Sequence, residues 1–224
     1  IARTLDRLQV DAVELPPIAG GKAGALSNKT ISSVVNSARL SAAAGLTEES
    51  VEDAWESVKN ARKPVLHILL PASAVQMEYL CHKKAPAMLE LAKTLVAKAR
   101  YYTEQVEFSA LDATRAEPAV LYQLLNAALD AGAKTVTLCD SAGIMTPGEC
   151  AEFIRTVREN VPALERAELG VELSNNLKMA VACAAAAVDA GAEVVKTTIT
   201  PMDLPTTKAF AAYMTARGES KGLC

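Results

Sequence analysis

An Ala-rich apolar stretch that stops at a glycine and passes directly into β-branched residues occurs twice in this chain. Ala127–Leu138 reads A-A-L-D-A-G-A-K-T-V-T-L, and Ala186–Thr197 reads A-A-V-D-A-G-A-E-V-V-K-T. Each reads as a helix ending at a glycine, Gly132 or Gly191, which takes the left-handed cap conformation at little cost. Helix, glycine and strand joined by short loops are the signature of parallel α/β structure.

The same template carried along the chain predicts seven strands: Val10–Leu15, Ala38–Ala42, Val65–Leu70, Gln105–Ala110, Lys134–Cys139, Glu168–Ser174 and Glu193–Ile199. Helices are predicted at Glu48–Lys59 with Thr47 as N-cap, Ala87–Ala99, Pro118–Asp130, Pro147–Glu159 and Leu177–Asp189. Ile1 to Gln9 also reads as a helix, because Ile1, Leu5 and Leu8 share one face. Pro16–Asn28, with Pro17, Gly20, Gly21 and Gly24, reads as a loop. In a barrel a strand precedes each helix. The expected fold is therefore a TIM-type (β/α)8 barrel, one partial domain over residues 1–224, with its first strand missing or upstream of Ile1. A doubly wound open sheet has the same periodicity and remains the structural alternative.

Composition narrows the function classes. Hydrophobic residues are 50% of the chain and aromatics 4%, so Ala, Val and Leu build the core, as in helices packed on a buried parallel sheet. A formal net charge of −3 supplies no basic field for nucleic acid or a membrane surface. Cys81, Cys139, Cys150, Cys183 and Cys224 are scattered, which speaks against a disulfide framework or a zinc knuckle and for a cytoplasmic protein. No apolar run reaches membrane-spanning length and no signal peptide opens the sequence.

A barrel carries its site at the C-terminal ends of its strands. That rule selects Glu14, His67, Ser109, Asp112, Asp140, Ser141, Glu172, Ser174 and Asn175. Each has a plainer reading. Glu14, before two prolines, is equally a solvent-facing strand-end charge. His67 in V-L-H-I-L-L is equally a satisfied core histidine. Asp140-Ser141-Ala-Gly is equally a tight turn whose side chains bond the backbone, and Arg115 pairs locally. There is no glycine-rich phosphate loop and no G-x-S-x-G elbow. His67 and His82 are the two histidines of the chain, and their spacing offers no two-histidine metal site. Residue types and spacing alone reach a barrel-like α/β protein with an unassigned cleft.

Four segments resemble the homocitrate synthase and 2-isopropylmalate synthase family, within the HMG-CoA-lyase-like barrels. Val106–Arg115, V-E-F-S-A-L-D-A-T-R, resembles the family's V-E-F-S-A-E-D-A-T-R. Thr137–Pro147, T-L-C-D-S-A-G-I-M-T-P, is similar to I-P-D-T-V-G-Y-x-x-P. Val171–Ala180, V-E-L-S-N-N-L-K-M-A, is similar to x-H-C-H-N-D-L-G-L-A. Leu66–Glu78, with H-I-L-L-P-A-S and then M-E, is similar to H-x-F-x-A-T-S. Order and spacing match across the chain.

The resemblance implies an oligomeric, cytoplasmic acyltransferase of amino-acid biosynthesis. It would join an acyl-CoA to a small 2-oxo acid on a divalent metal (Mg, Mn or Zn) by a Claisen-type condensation. It also implies metal ligands at an Asp of the first strand and at both histidines of H-x-H, and a catalytic Glu in the V-E-F-S-A-E-D segment. Here Glu172 and Ser174 stand at the H-x-H positions, Leu111 stands for the Glu, and Thr200–Thr207 lacks the family's G-E-R-x-G-N. Glu172 is left as a weak metal ligand, so the metal is expected to be weakly held or absent. Glu14, His67, Ser109, Ser141 (where the family has Thr) and Asn175 remain as substrate-pocket positions. Two readings follow: a divergent enzyme of the family, or a non-catalytic relative acting as a partner subunit or small-acid-binding protein.

Overall fold

In the computed structural model residues 1–16, 22–200 and 203–218 are described. Among them the chain runs α1 (Ala2–Arg7), β1 (Ala12–Glu14), α2 (Lys22–Ser32), β2 (Arg39–Ala44), α3 (Glu48–Val58), β3 (Pro64–Pro71), α4 (Ala74–Cys81) and α5 (Ala85–Tyr102). It continues with β4 (Val106–Leu111), α6 (Pro118–Asp130), β5 (Thr135–Asp140), α7 (Pro147–Asn160), β6 (Glu168–Leu173), α8 (Ala180–Asp189), β7 (Val194–Val195) and α9 (Thr207–Ala216). The strands form one parallel sheet in sequential order, β1 to β7. A doubly wound sheet reverses its strand order at a switch point, so this order sets that alternative aside. The sheet is a curled half-barrel of TIM type, with seven strands among the described residues.

Alternation along the strands separates two environments. Leu66, Ile68 and Leu70 of β3, Val106, Phe108 and Ala110 of β4, and Val136 and Leu138 of β5 are buried in one cluster with Met88, Leu95, Leu121, Leu124, Leu125 and Ile154 of the helices. The hydrophobic core therefore lies between sheet and helices. The opposite phase carries His67, Glu107, Ser109, Thr135, Thr137, Glu172 and Lys196. Helix starts follow the expected chemistry. Thr47 and Ser50 form a reciprocal capping box at α3, and Thr146 with Glu149 does so at α7, behind Pro147. Gly132 and Gly191 stand at φ +109° and +107° at the two helix-to-strand junctions.

Three expectations are corrected. The loop drawn over Pro16–Asn28 gives way to α2 from Lys22, while its Pro17, Gly20 and Gly21 lie outside the described residues. The helix escapes an apolar-periodicity reading because its inward residues are polar. Asn28 donates to the Pro16 carbonyl (3.3 Å), and Ser32 donates to the Asn28 and Ser57 carbonyls. The strand expected over Glu193–Ile199 is confined to Val194–Val195. After one more ladder bond, from Lys196 N–H to the Val171 carbonyl (2.9 Å), Thr198 turns to pair with Thr206. Finally, α4 and α9 are helices that the pattern did not predict, each opened by a hydroxyl cap, Ser73 and Thr206.

Phe108 is fully buried between sheet and helices. Phe108→Ala is expected to cost about 3–5 kcal/mol through lost transfer energy and the cavity left behind, read from the urea midpoint at unchanged m-value.

Candidate functional site

The inner face of a TIM barrel is usually filled by branched apolar side chains, but here it is charged. At its centre the Lys196 ammonium, just past β7, lies 2.8 Å from Glu14 Oε2 of β1, 3.0 Å from Glu107 Oε1 of β4 and 3.9 Å from Glu172 Oε2 of β6. His67 of β3 is fully buried. Its Nε2 shares a 2.7 Å hydrogen bond with Ser109 Oγ of β4 and lies 3.6 Å from Glu107 Oε1, while its Nδ1 lies 3.3 Å from Glu14 Oε1. Thr137 of β5 donates to Glu107 Oε1 at 2.8 Å. Gly170 of β6 leaves room for that hydroxyl: a Cβ there would stand 2.7 Å from Thr137 Oγ1. At the other end of the strands, Arg39 of β2 meets Glu168 of β6 at 2.7 Å, and Thr135 donates to the same carboxylate.

Electrostatics follow from this crowding. Burial pushes the Glu14 and Glu107 carboxyls up, but His67 and Lys196 beside them outweigh it, and both end below the usual carboxylate range. Burial alone would lower the Lys196 ammonium, yet Glu107, Glu14 and Glu172 hold it above the ordinary lysine range. It is therefore a fixed positive charge, unsuited to nucleophilic attack on a carbonyl, which needs a neutral amine. For Glu172 burial wins, and its carboxyl is raised. Burial, with Glu172 close by, also pushes the Cys139 thiol far up, so Cys139 is no thiolate nucleophile.

Glu14, His67, Ser109 and Glu172 thus come together around Lys196. Ser141 and Asn175 serve elsewhere. Ser141 Oγ accepts the Asp112 N–H (3.0 Å). Asn175 Oδ1 accepts the Ala180 N–H at the start of α8 (3.3 Å), and its own N–H donates to the Asp203 carbonyl. Asp112, fully buried at φ +57°, takes Arg115 on both carboxylate oxygens and the Ser73 hydroxyl on one. Asp140 accepts from Thr114 and from the Gly143 N–H. This second cluster fixes the loops after β3, β4 and β5. Glu107 and Thr137 were missed because a strand-end rule passes over positions inside strands, and Lys196 because the last strand was expected to run on to Ile199. The signal was present: a charged residue in the polar phase of V-E-F-S and another in V-V-K-T.

A model of the HMGL-like family matches residues 1–202. The chain belongs to this family. Among curated relatives, 2-isopropylmalate synthase of Clostridium kluyveri is 36% identical over 201 residues, covering 89% of this chain and 39% of the relative. The 2-isopropylmalate synthase of Ruminiclostridium cellulolyticum is 35% identical over 199 residues, with the same coverage. This HMGL-like chain therefore spans about two fifths of the length of those relatives. Among solved structures, hydroxymethylglutaryl-CoA lyase from Pseudomonas aeruginosa superposes with TM-score 0.81 at 16% identity, over 99% of this chain and 79% of that one. An HMG-CoA lyase from Acinetobacter baumannii, in complex with coenzyme A and 3-methylmalate, gives 0.76 at 14% identity, over 98% and 76%. At such identities the structures speak for the fold.

The side chains of this HMGL-like chain do not fit the divalent metal that the resemblance implies. Glu172 already faces an ammonium, and Ser174 offers a hydroxyl, a poor ligand beside carboxylate or imidazole. Among the described residues no group of three His, Cys, Asp or Glu is arranged to hold a metal ion, and no helix is long and apolar enough to cross a membrane.

The ion pairs set a pH dependence. Glu14 and Glu107 titrate below their unfolded values, so their stabilisation is complete above the ordinary carboxylate range and is lost as pH falls through the folded values. The melting temperature should drop in strong acid, and Glu107→Gln should remove part of that slope. Glu172 is raised, so its ionisation opposes folding. Glu172→Gln should leave the protein as stable or slightly more stable at neutral pH, by about 1 kcal/mol or less, in a denaturant titration.

Proposed function

We propose that this HMGL-like chain binds a small 2-oxo acid or carboxylate at the open end of the half-barrel and does not carry out metal-dependent condensation with an acyl-CoA. The observation that carries the reading is the end of β4. Leu111 stands there, partly exposed, where a proton-transferring carboxylate is needed, and the neighbouring Asp112 is committed to Arg115 and Ser73. A general base must reach the proton that it removes, and Leu111 can neither accept nor donate one. The small-acid half of the proposal is supported by the Lys196 ammonium and the Glu172 carboxyl, raised by burial, which lie side by side on the inner face. The relatives' name, 2-isopropylmalate synthase, and the 3-methylmalate bound by a structural neighbour favour a small branched acid.

The second reading is a divergent acyl-CoA enzyme, and one observation favours it. Ser109, His67 and Glu14 stand in the order hydroxyl, imidazole and carboxylate, with a hydrogen bond of 2.7 Å between the first two and a contact of 3.3 Å, short of a hydrogen bond, between the second and third. Against it, Ser109 is fully buried, so an acyl group would have to enter the sheet to reach the hydroxyl.

Incubating full-length protein with acetyl-CoA, a branched 2-oxo acid and magnesium, with free CoA thiol followed, discriminates the two. No thiol release above background is expected, whereas calorimetry should show the acid binding. Affinity should rise as pH falls and Glu172 becomes neutral, and Glu172→Gln should flatten that pH dependence. Turnover of acetyl-CoA would sink the non-catalytic reading. Undetectable binding of any small 2-oxo acid or carboxylate would sink the pocket.

A further inference from the structure

The acidic cluster of the inner face is already occupied by a cation, and that cation is covalent. Glu14, Glu107 and Glu172 reach Lys196 Nζ from three different strands, at 2.8, 3.0 and 3.9 Å. Carboxylate oxygens are the donors that hard divalent ions take, although with the ammonium between them no three described side chains are arranged to hold one. A second observation points to the same spot. His67 is fully buried, and its Nδ1 makes no hydrogen bond although it faces Glu14 Oε1 at 3.3 Å. On the neighbouring strand Ser41, the register partner of Glu14, has a buried hydroxyl without a partner. The imidazole nitrogen beside the Glu14 carboxylate is coordination capacity that an ammonium does not use.

We propose that the Lys196 ammonium is the resident cation of this pocket. It neutralises the three carboxylates, excludes divalent metal and makes whatever the pocket binds independent of metal ions. Neutralising Lys196 should uncover a site for one divalent ion, held by Glu14, Glu107 and Glu172 with His67 beside them. An ammonium differs from a metal ion here in two ways. It cannot be removed by a chelator, and it donates hydrogen bonds instead of accepting electron pairs. The inference concerns the cation alone and goes beyond the small-acid reading, so either can fail without the other.

Manganese is the probe, because its paramagnetism reports binding directly. Full-length protein titrated with Mn²⁺ and followed by electron paramagnetic resonance should show no stoichiometric binding at the barrel. Lys196→Met should gain one Mn²⁺ per chain, at least about 100-fold tighter than any binding to the unaltered protein. Its melting temperature should rise with Mn²⁺, as binding to the folded state alone requires. Adding Glu107→Gln to Lys196→Met should abolish the gain. Removing the ammonium leaves carboxylates unpaired, so Lys196→Met can fail to fold without metal. In that case it is refolded with and without Mn²⁺, alongside Lys196→Gln, whose amide still donates to Glu14 and Glu107. Recovery of fold only with Mn²⁺ supports the proposal. Stoichiometric Mn²⁺ binding to the unaltered protein that Glu172→Gln removes would overturn it. So would a folded Lys196→Met that gains no Mn²⁺, or an unfolded one that Mn²⁺ does not restore.

Discussion

The constraint on which the structure turns is that one ammonium must satisfy carboxylates from strands that do not pair with one another. β1 and β7 are the two edges of the sheet, and Lys196 joins them through Glu14 while also holding β4 through Glu107. Among the described residues no strand ladder joins these two edges. Charges placed here are tolerable only because each finds a partner, since an unpaired buried ion costs far more than its pairing returns. The small residues around it follow from the same need. Ser109, Thr137 and Gly170 leave space, and two of them also bond a member of the network.

This arrangement divides the work of folding between two layers. Between sheet and helices the leucines, Phe108 and Met88 supply the hydrophobic drive. Inside the curl, hydrogen bonds and ion pairs set the geometry. Arg39 to Glu168 repeats the device one layer lower, again between strands that are not neighbours, β2 and β6. Among the described residues, these charge pairs tie together strands that share no ladder.

The outer layer was legible in the sequence because it obeys periodicity. The boundaries of α6 at Pro118 and Asp130 are those the pattern predicts, since a proline starts the helix and the Ala131-Gly132 step ends it. α2 was not legible, because Asn28 and Ser32 bury their face through hydrogen bonds, which an apolar pattern does not record. In the inner face Glu14 and Glu172 could be picked out as charges at or near strand ends, and His67 and Ser109 as polar residues within apolar strands. Their common partner could not. Lys196 lies 182 residues from Glu14, and nothing local in V-V-K-T says which carboxylates a sheet of this curvature brings to it. The roles of Ser141 and Asn175 were unreadable for the converse reason: each bonds backbone groups whose position only the folded loops define.

A barrel lined with ions also responds to temperature differently from one lined with leucines. Exposure of apolar surface raises the heat capacity on unfolding, whereas exposure of polar surface lowers it. The Lys196 and Arg39 networks therefore offset part of the heat-capacity increment that the sheet–helix layer contributes, and they broaden the stability curve. The desolvation that opposes such pairs also weakens on warming. The inner face thus becomes a relatively stronger tie between β1 and β7 as temperature rises, while the hydrophobic contribution per unit area levels off.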